Sequence, residues 1–295
     1  LGLRVLKEMH LLSPETLIGI LTIDDSNDTR SVFADFQGFY KENELMLFVA
    51  KNRKQSEEIV KELKPDLCLV VGWYWLITNT VLESVPSGFI GIHNSLLPKY
   101  RGGAPLVWQI INNEKKVGFS LFSFTQGMDE GQVWAQGSVC VEEQDYISDI
   151  LKKLEEKTIQ VFQTNDPRIL NDEVQPIEQN HEFATYCAQR FPIDGNINWH
   201  TSAQDVYNFI RAQSDPYLGA FTYLDAQELK IWRAKLFDKP YYGIPGQVAR
   251  ITSEGVYVIC GNHRAIIIEE VEKADKRDKA NKFVKSIKDR MCSII

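Results

Sequence analysis

His93-Asn94-Ser95-Leu96-Leu97-Pro98-Lys99-Tyr100-Arg101-Gly102-Gly103-Ala104-Pro105 leaves an apolar strand, Gly88 to Ile92, and runs into a helix starting at Pro105. Strand, polar loop and helix in that order form the repeating step of an open α/β sheet. In such sheets ligands bind outside the carboxyl ends of the strands. The loop brings together an imidazole, a hydroxyl and a guanidinium. A second polar loop follows, Gln126-Gly127-Met128-Asp129-Glu130-Gly131. The two loops supply a histidine and a carboxylate, the groups most used for moving a proton near pH 7.

Working toward the amino end, the strand Leu67 to Val71 is bounded by Pro65-Asp66 and Gly72, and the helix Lys54 to Leu63 precedes it. Before them come the strand Leu45 to Ala50, a helical stretch, and the apolar run Thr16 to Ile23 ending in Asp24-Asp25. Strands alternating with helices imply a wound, mainly parallel sheet with right-handed connections. The first periodic segment, Leu1 to Leu12, reads as a helix, whereas a sheet of this kind usually opens with a strand. A natural first strand is therefore expected to be absent from this sequence.

Toward the carboxyl end, Val117 to Phe124 and Gln132 to Val141 read as two strands joined by the Asp129 loop, and the helix Tyr146 to Phe162 closes the domain. Residues 164–180 are polar with two prolines and read as a surface linker. The expected domains are 1–180 and 181–295. The second begins with a helix, Ser202 to Ala212, capped by Thr201 or Ser202. Short strands follow at Gly219 to Tyr223, Leu229 to Ala234, Gly246 to Ile251, Gly255 to Cys260 and His263 to Val271, a spacing that suggests a small β-barrel.

Composition narrows the class. The 295 residues suffice for about two domains, and 44% hydrophobic with 25% charged residues describes an ordinary globular chain. Five scattered cysteines without a Cys-x-x-Cys pair point to free thiols in a reducing cytosol, against a zinc site or a disulfide scaffold. No stretch reads as a signal peptide, and no apolar run approaches the ~18 residues of a membrane span. A cytoplasmic protein that holds no metal and meets no membrane is expected. A net charge of −7 disfavours a polyanionic partner. One basic segment, 272–295, carries a net charge of +4 and reads as a solvated surface helix with paired charges.

Each candidate has a plainer alternative. His93 alone is a histidine satisfied at a strand end, but its place in a polar loop after a strand favours function. Asp129, between Gly127 and Gly131, is otherwise a turn carboxylate bound to its own backbone. Ser95 lacks a nucleophile elbow and reads as a hydrogen-bonding residue. Lys99 and Arg101 either hold an anionic substrate or sit solvated at the surface. Trp73-Tyr74-Trp75 is either core or a wall for a flat heteroaromatic ligand. Gly102-Gly103 has neither phosphate-loop spacing.

The segment His93 to Gly102 with Ala104-Pro105 resembles the Ser-Leu-Leu-Pro signature of folate-dependent formyltransferases, and Met128-Asp129-Glu130-Gly131 resembles their second signature. Asp194-Gly195-Asn196-Ile197-Asn198-Trp199 and Gly246-Gln247-Val248 look like their carboxyl-terminal domain. The resemblance implies a Rossmann-like domain that uses 10-formyltetrahydrofolate, followed by an OB-like β-barrel with a helical tail. It implies a catalytic trio of an Asn, His93 and Asp129. The Asn position is Gly91 here, and Asn94 is the nearest substitute. Trp75, Leu76, Ile77, Ser95, Leu96, Leu97, Pro98 and Gly127 are expected to line the donor site. Lys99, Tyr100, Arg101 and Gly103 are expected to meet the acceptor.

Formyl transfer needs a neutral amine, a proton acceptor and support for a tetrahedral oxyanion. Asp129 suits the second role, and His93, as a hydrogen-bond donor, the third. The acidic body and Asp215-Pro216-Tyr217-Leu218-Gly219-Ala220-Phe221, which resembles a sugar-enzyme segment, favour a nucleotide-linked amino sugar as acceptor. Methionyl-tRNA formyl transfer is the alternative. A weakened folate- or nucleotide-binding homologue is a further one, prompted by Gly91. Dimerisation through the barrel is expected by family analogy only.

Overall fold

Phe89-Ile90-Gly91-Ile92-His93 is apolar enough to be covered on both faces, and four of its five residues are buried. In the computed structural model it forms β4 (Phe89–His93), with β3 (Cys68–Val70) parallel on one side and β6 (Lys116–Ser123) antiparallel on the other. The order is β3-β4-β6-β7, with β7 spanning Val133–Cys140. A separate parallel pair joins β1 (Ile20–Ile23) to β2 (Leu47–Ala50); β5 (Arg101–Gly102) and β8 (Tyr186–Cys187) are two-residue strands. The structure describes residues 1–28, 31–171 and 173–293. Parts of the expected helical stretch after Asp25, of the 164–180 linker and of the basic tail fall outside them.

This first unit comprises Leu1–Gly102, Val117–Val139 and Lys153–Tyr186. Side chains alternate across β4, so its two faces join different layers. Ile92, with Leu69 and Val71, packs against Val5 of α1 (Gly2–Leu12) and Ile159 and Phe162 of α6 (Ile147–Leu170). Phe89, with Cys68 and Val70, packs against Val60 of α3 (Arg53–Leu63) and Val81 of α4 (Asn79–Leu82). α2 (Phe33–Glu42) links β1 to β2, and α3 links β2 to β3. Asn52 caps α3 by accepting from the Gln55 amide.

The second unit comprises Gly103–Lys116, Cys140–Lys152 and Cys187–Ile295. It holds α5 (Pro105–Ile111) and α7 (Ala203–Gln213), which is capped by Ser202 through a reciprocal box with Asp205. Its six-stranded antiparallel sheet has the order β11-β12-β13-β10-β9, with a sixth strand beside β13. These strands are β9 (Ala220–Leu224), β10 (Gln227–Leu236), β11 (Val248–Ile251), β12 (Val256–Ile259) and β13 (Ala265–Lys273). β14 (Lys276–Lys279) pairs with β13 and leads into the short α8 (Ala280–Phe283). Trp199, Ile210, Ile231, Val258 and Ile266 lie in the core beneath.

Two expectations need correction. Residues 164–180 do not form a free linker: α6 runs on to Leu170, and Ile177 exchanges two 2.8 Å backbone hydrogen bonds with Val133. Polarity misleads here because the segment is held by its backbone. The basic tail is not a helix either. It forms β14, α8 and then an extended stretch in which Cys292 exchanges hydrogen bonds with Tyr223 while Met291 donates to Gly246. The tail thus bridges β9 to the start of β11, the two ends of the sheet. Met291 and Val284 are its buried apolar anchors. Among the described residues no helix is long and apolar enough to cross a membrane.

Met291→Ala should therefore destabilise the second unit by about 2–5 kcal/mol. Denaturant unfolding followed by exchange of the Tyr223 amide, which donates to Cys292, would register the loss as earlier opening of this bridge.

Candidate active site

The loop after β4 turns back so that its own backbone holds the two side chains of interest. His93 Nε2 lies 2.8 Å from the Tyr100 carbonyl. A carbonyl only accepts, so Nε2 carries the proton of that bond. His93 Nδ1 lies 3.6 Å from Asp129 Oδ2, and the Gly102 amide donates to that same oxygen at 2.8 Å. Both ring nitrogens therefore face acceptors. The imidazole is 9% and the carboxylate 24% exposed, so solvent reaches the carboxylate more readily. At 3.6 Å the pair is close but not hydrogen-bonded, which leaves both groups available to a third.

The loop is shaped by buried polar contacts. Ser95 is fully buried, and its hydroxyl donates to the Lys99 carbonyl at 2.6 Å. Ser120 on β6 donates to the Ser95 carbonyl and accepts from the Leu97 amide. Gln136 on β7 donates to the Leu97 carbonyl. Tyr100, at φ +58°, donates through its amide to Thr185 Oγ1. Asp129 itself sits at φ +49°. Gly131 follows in a turn where a Cβ would run into the Ser123 carbonyl.

Arg101 was expected at the acceptor, but its side chain is 1% exposed. Its Nε and Nη2 both donate to Gln179 Oε1, at 3.1 and 2.7 Å. Gln179 in turn donates to the carbonyls of Asp129 and Gly131. Arg101 thus braces the Asp129 loop through Gln179 instead of facing solvent. Nothing in the sequence singled out Gln179, which lies 78 residues from Arg101 in a stretch that reads as linker. Lys99 is exposed.

Gly91 shares a face of β4 with His93. A Cβ at Gly91 would run into the ring of Phe124. Phe124 packs on Phe122 with centroids 5.1 Å apart, and Phe122 meets the His93 ring edge-on at 6.1 Å. The place where the family pattern puts an amide is filled by an aromatic wall. Phe124 joins the cluster that also contains Ile77. Beside it, Trp75 meets Trp73 edge-on at 5.3 Å, and Leu76 is 85% exposed.

Other expected residues divide between structure and surface. Leu97 is buried, and a Cβ at Gly118 would press on the Leu96 side chain, so both leucines belong to the packing beneath the loop. Pro98 and Asn94 are half-buried. A Cβ at Gly127 would meet the Glu130 carboxylate, the movable end of a side chain. Gly103 falls in the second unit, where its amide donates to the Cys187 carbonyl.

Residues 22–165 match the model of the formyl transferase family, and residues 191–288 that of the formyl transferase C-terminal domain. The chain is 33% identical over 214 residues to the methionyl-tRNA formyltransferase of Acetivibrio thermocellus, covering 72% of this chain and 68% of the relative. It is 32% identical over 228 residues to the bifunctional polymyxin resistance protein ArnA of Wigglesworthia glossinidia brevipalpis, covering 76% of this chain. The match spans only 35% of the length of that relative. The crystal structure of an N-formyltransferase from Helicobacter canadensis, complexed with folinic acid and dTDP-3-aminofucose, superposes with a TM-score of 0.70. That match covers 92% of this chain and 95% of the other at 19% identity, a likeness of fold.

Two variants test the geometry. Gln179→Ala removes the acceptor of a buried guanidinium and should cost the first unit about 1.5–3 kcal/mol, with faster exchange of the Gly102 amide that donates to Asp129. Gly91→Asn should cost about 1–3 kcal/mol through overpacking. Phe124→Leu in the same chain should recover part of it, as read by denaturant midpoint.

Proposed function

Since the chain belongs to the formyl transferase family, we propose that it carries a formyl group from 10-formyltetrahydrofolate to a primary amine on a nucleotide-linked amino sugar. The observation that carries this reading is the 3.6 Å approach of His93 Nδ1 to Asp129 Oδ2, beyond the carboxyl end of β4. An amine that attacks a formyl carbon must shed a proton, and Asp129 is the carboxylate placed to accept it, directly or through one water. Among the described residues its Oδ1 takes no hydrogen bond. The Gly102 amide on Oδ2 fixes the orientation of the group.

His93 is the polarising partner. With Nε2 bound to the Tyr100 carbonyl, the nitrogen left to face substrate is Nδ1. Donation from Nδ1 toward the developing oxyanion is the role assigned to it here, carried out by the imidazolium, which has a proton on each ring nitrogen. No amide stands at position 91 to share that work. Losing one preorganised donor of this kind costs ~10²–10³ in rate, so turnover slower than that of an enzyme with the Asn is expected.

The donor suits the apolar segment beside Phe124. Leu76 projects into solvent at 85% exposure, next to half-buried Trp75, a surface that a flat pterin would cover. When bound, the donor supplies the activated formyl carbon; Trp75, Leu76 and Ile77 orient it and His93 and Asp129 handle charge and proton.

For the acceptor, the net charge of −7 weighs against RNA. Within the basic tail, Arg277 is paired with both Asp215 and Glu270 and is not free to meet a phosphate. A second reading, formyl transfer to methionyl-tRNA, is supported by the 33% identity to the Acetivibrio enzyme. On this proposal the acceptor is small and the protein acts in the cytoplasm.

Incubation with 10-formyltetrahydrofolate and a panel of dTDP- and UDP-amino sugars should give a formylated sugar nucleotide by mass spectrometry. Product with charged initiator tRNA alone would move the acceptor to the second reading. Donor binding without turnover on any acceptor would contradict the enzyme reading. His93→Ala and Asp129→Ala should each lower kcat by about 10²–10⁴ while donor affinity, measured by calorimetry, stays within a few fold.

A further inference from the structure

The brace that runs from Arg101 on β5 through Gln179 to the Asp129 loop has a third member. Arg101 Nε and Nη2 both donate to one atom, Gln179 Oε1. Two donors on one oxygen leave the guanidinium able to pivot about it. On its other edge, Nη1 and Nη2 each lie 3.4 Å from His181 Nδ1. A guanidinium only donates, so Nδ1 is the acceptor and carries no proton. The imidazole thus gives the rigid, planar fork of Arg101 a second point of support, which sets its plane.

That plane controls a turn one step further along. With its oxygen taken by Arg101, the Gln179 amide turns its nitrogen to the carbonyls of Asp129, at 2.9 Å, and Gly131, at 2.6 Å. Asp129 sits in this turn at φ +49°, a conformation that a residue with a side chain adopts seldom and keeps when its surroundings fix it. Arg101 and Gln179 are buried. A buried polar network is rigid when every member is satisfied and costly when one is lost.

The backbone delivers His181 to this place. It opens the short turn His181–Phe183, which Asn180 caps by accepting from the Glu182 amide. Beyond the turn, Thr185 pins the chain to the loop after β4. Its amide donates to the Pro98 carbonyl, its carbonyl accepts from the Arg101 amide, and its hydroxyl oxygen accepts from the Tyr100 amide. The imidazole is therefore held on both sides in sequence. Unlike its two partners it is exposed, so replacing it opens no cavity, and a change there acts through the hydrogen bond.

We propose that His181 is a positioning residue for formyl transfer: it orients the Arg101 guanidinium and, through Gln179, the turn that aims the Asp129 carboxylate. It touches neither donor nor acceptor. This role rests on the reading in which Asp129 takes the proton of the attacking amine.

His181→Ala should lower kcat roughly tenfold, less than the ~10² that a 1 Å misplacement can cost, and leave the KM for the acceptor within about twofold. His181→Asn, whose Oδ1 accepts in the place of Nδ1, should recover most of the loss. In an Asp129→Ala chain, His181→Ala should slow single turnover no further, because it acts through Asp129. An unchanged kcat in His181→Ala overturns the role, as does a failure of His181→Asn to recover it. An equal further loss in the Asp129→Ala chain places the effect elsewhere, and a raised KM with kcat kept makes His181 a ligand contact; either result also overturns it. Hydrogen exchange separates this role from the formyl-transfer reading. The Gly102 amide, which donates to Asp129 Oδ2, should exchange at least about threefold faster in His181→Ala and at its original rate in His181→Asn. The Phe124 amide, which donates to the Phe89 carbonyl, should not change in either. If no acceptor is formylated and Gly102 responds in this way, the formyl-transfer reading fails and the brace stands. Unchanged exchange at Gly102 overturns the brace whatever the activity.

Discussion

One short loop holds both halves of the candidate chemistry. Between residues 93 and 102 the backbone turns back on itself and presents a carbonyl, from Tyr100, to His93 and an amide, from Gly102, to Asp129. These two contacts act on residues that lie far apart in the chain. The loop is held along its length: β4 delivers it, Ser120 and Gln136 hold its middle, and Thr185 and Gln179 hold its end. Buried polar networks of this kind are costly when incomplete and rigid when complete. The approach of imidazole to carboxylate is thus a property of the whole network and not of two side chains.

The sequence made the fold class readable because period and punctuation agreed. Apolar runs of strand length alternated with helical periods, and Pro65-Asp66 and Gly72 marked the ends of one strand. The loop starts one residue later than it was read, because His93 closes β4, and the helix at Pro105 begins where it was read. The tail failed for a physical reason. Its charges suggested a solvated helix, but Met291 is buried and the backbone of Cys292 bridges to Tyr223. Charge counts describe what a segment exposes and say nothing about what its backbone pairs with.

The candidate site was readable only in part. His93 and Asp129 stood out by residue type and setting. Gln179 did not, because a glutamine in a polar stretch carries no local signal; its role arises from long-range contacts to Arg101 and the Asp129 loop. Arg101 looked like a substrate ligand by its charge and its place in the loop, whereas its side chain is buried. Gly91 looked like the simple loss of a side chain. The structure shows that Phe124 occupies the space, so the change involves two positions packed together.

The central claim is that His93 and Asp129 work as one device in formyl transfer. A double-mutant cycle on the single-turnover rate, using His93→Ala, Asp129→Ala and the pair, tests it most directly, since groups that act together are strongly non-additive. The account predicts that the double variant is little slower than the slower single variant. Losses that multiply would show two independent contributions and would contradict it, as would a single variant that keeps the full rate.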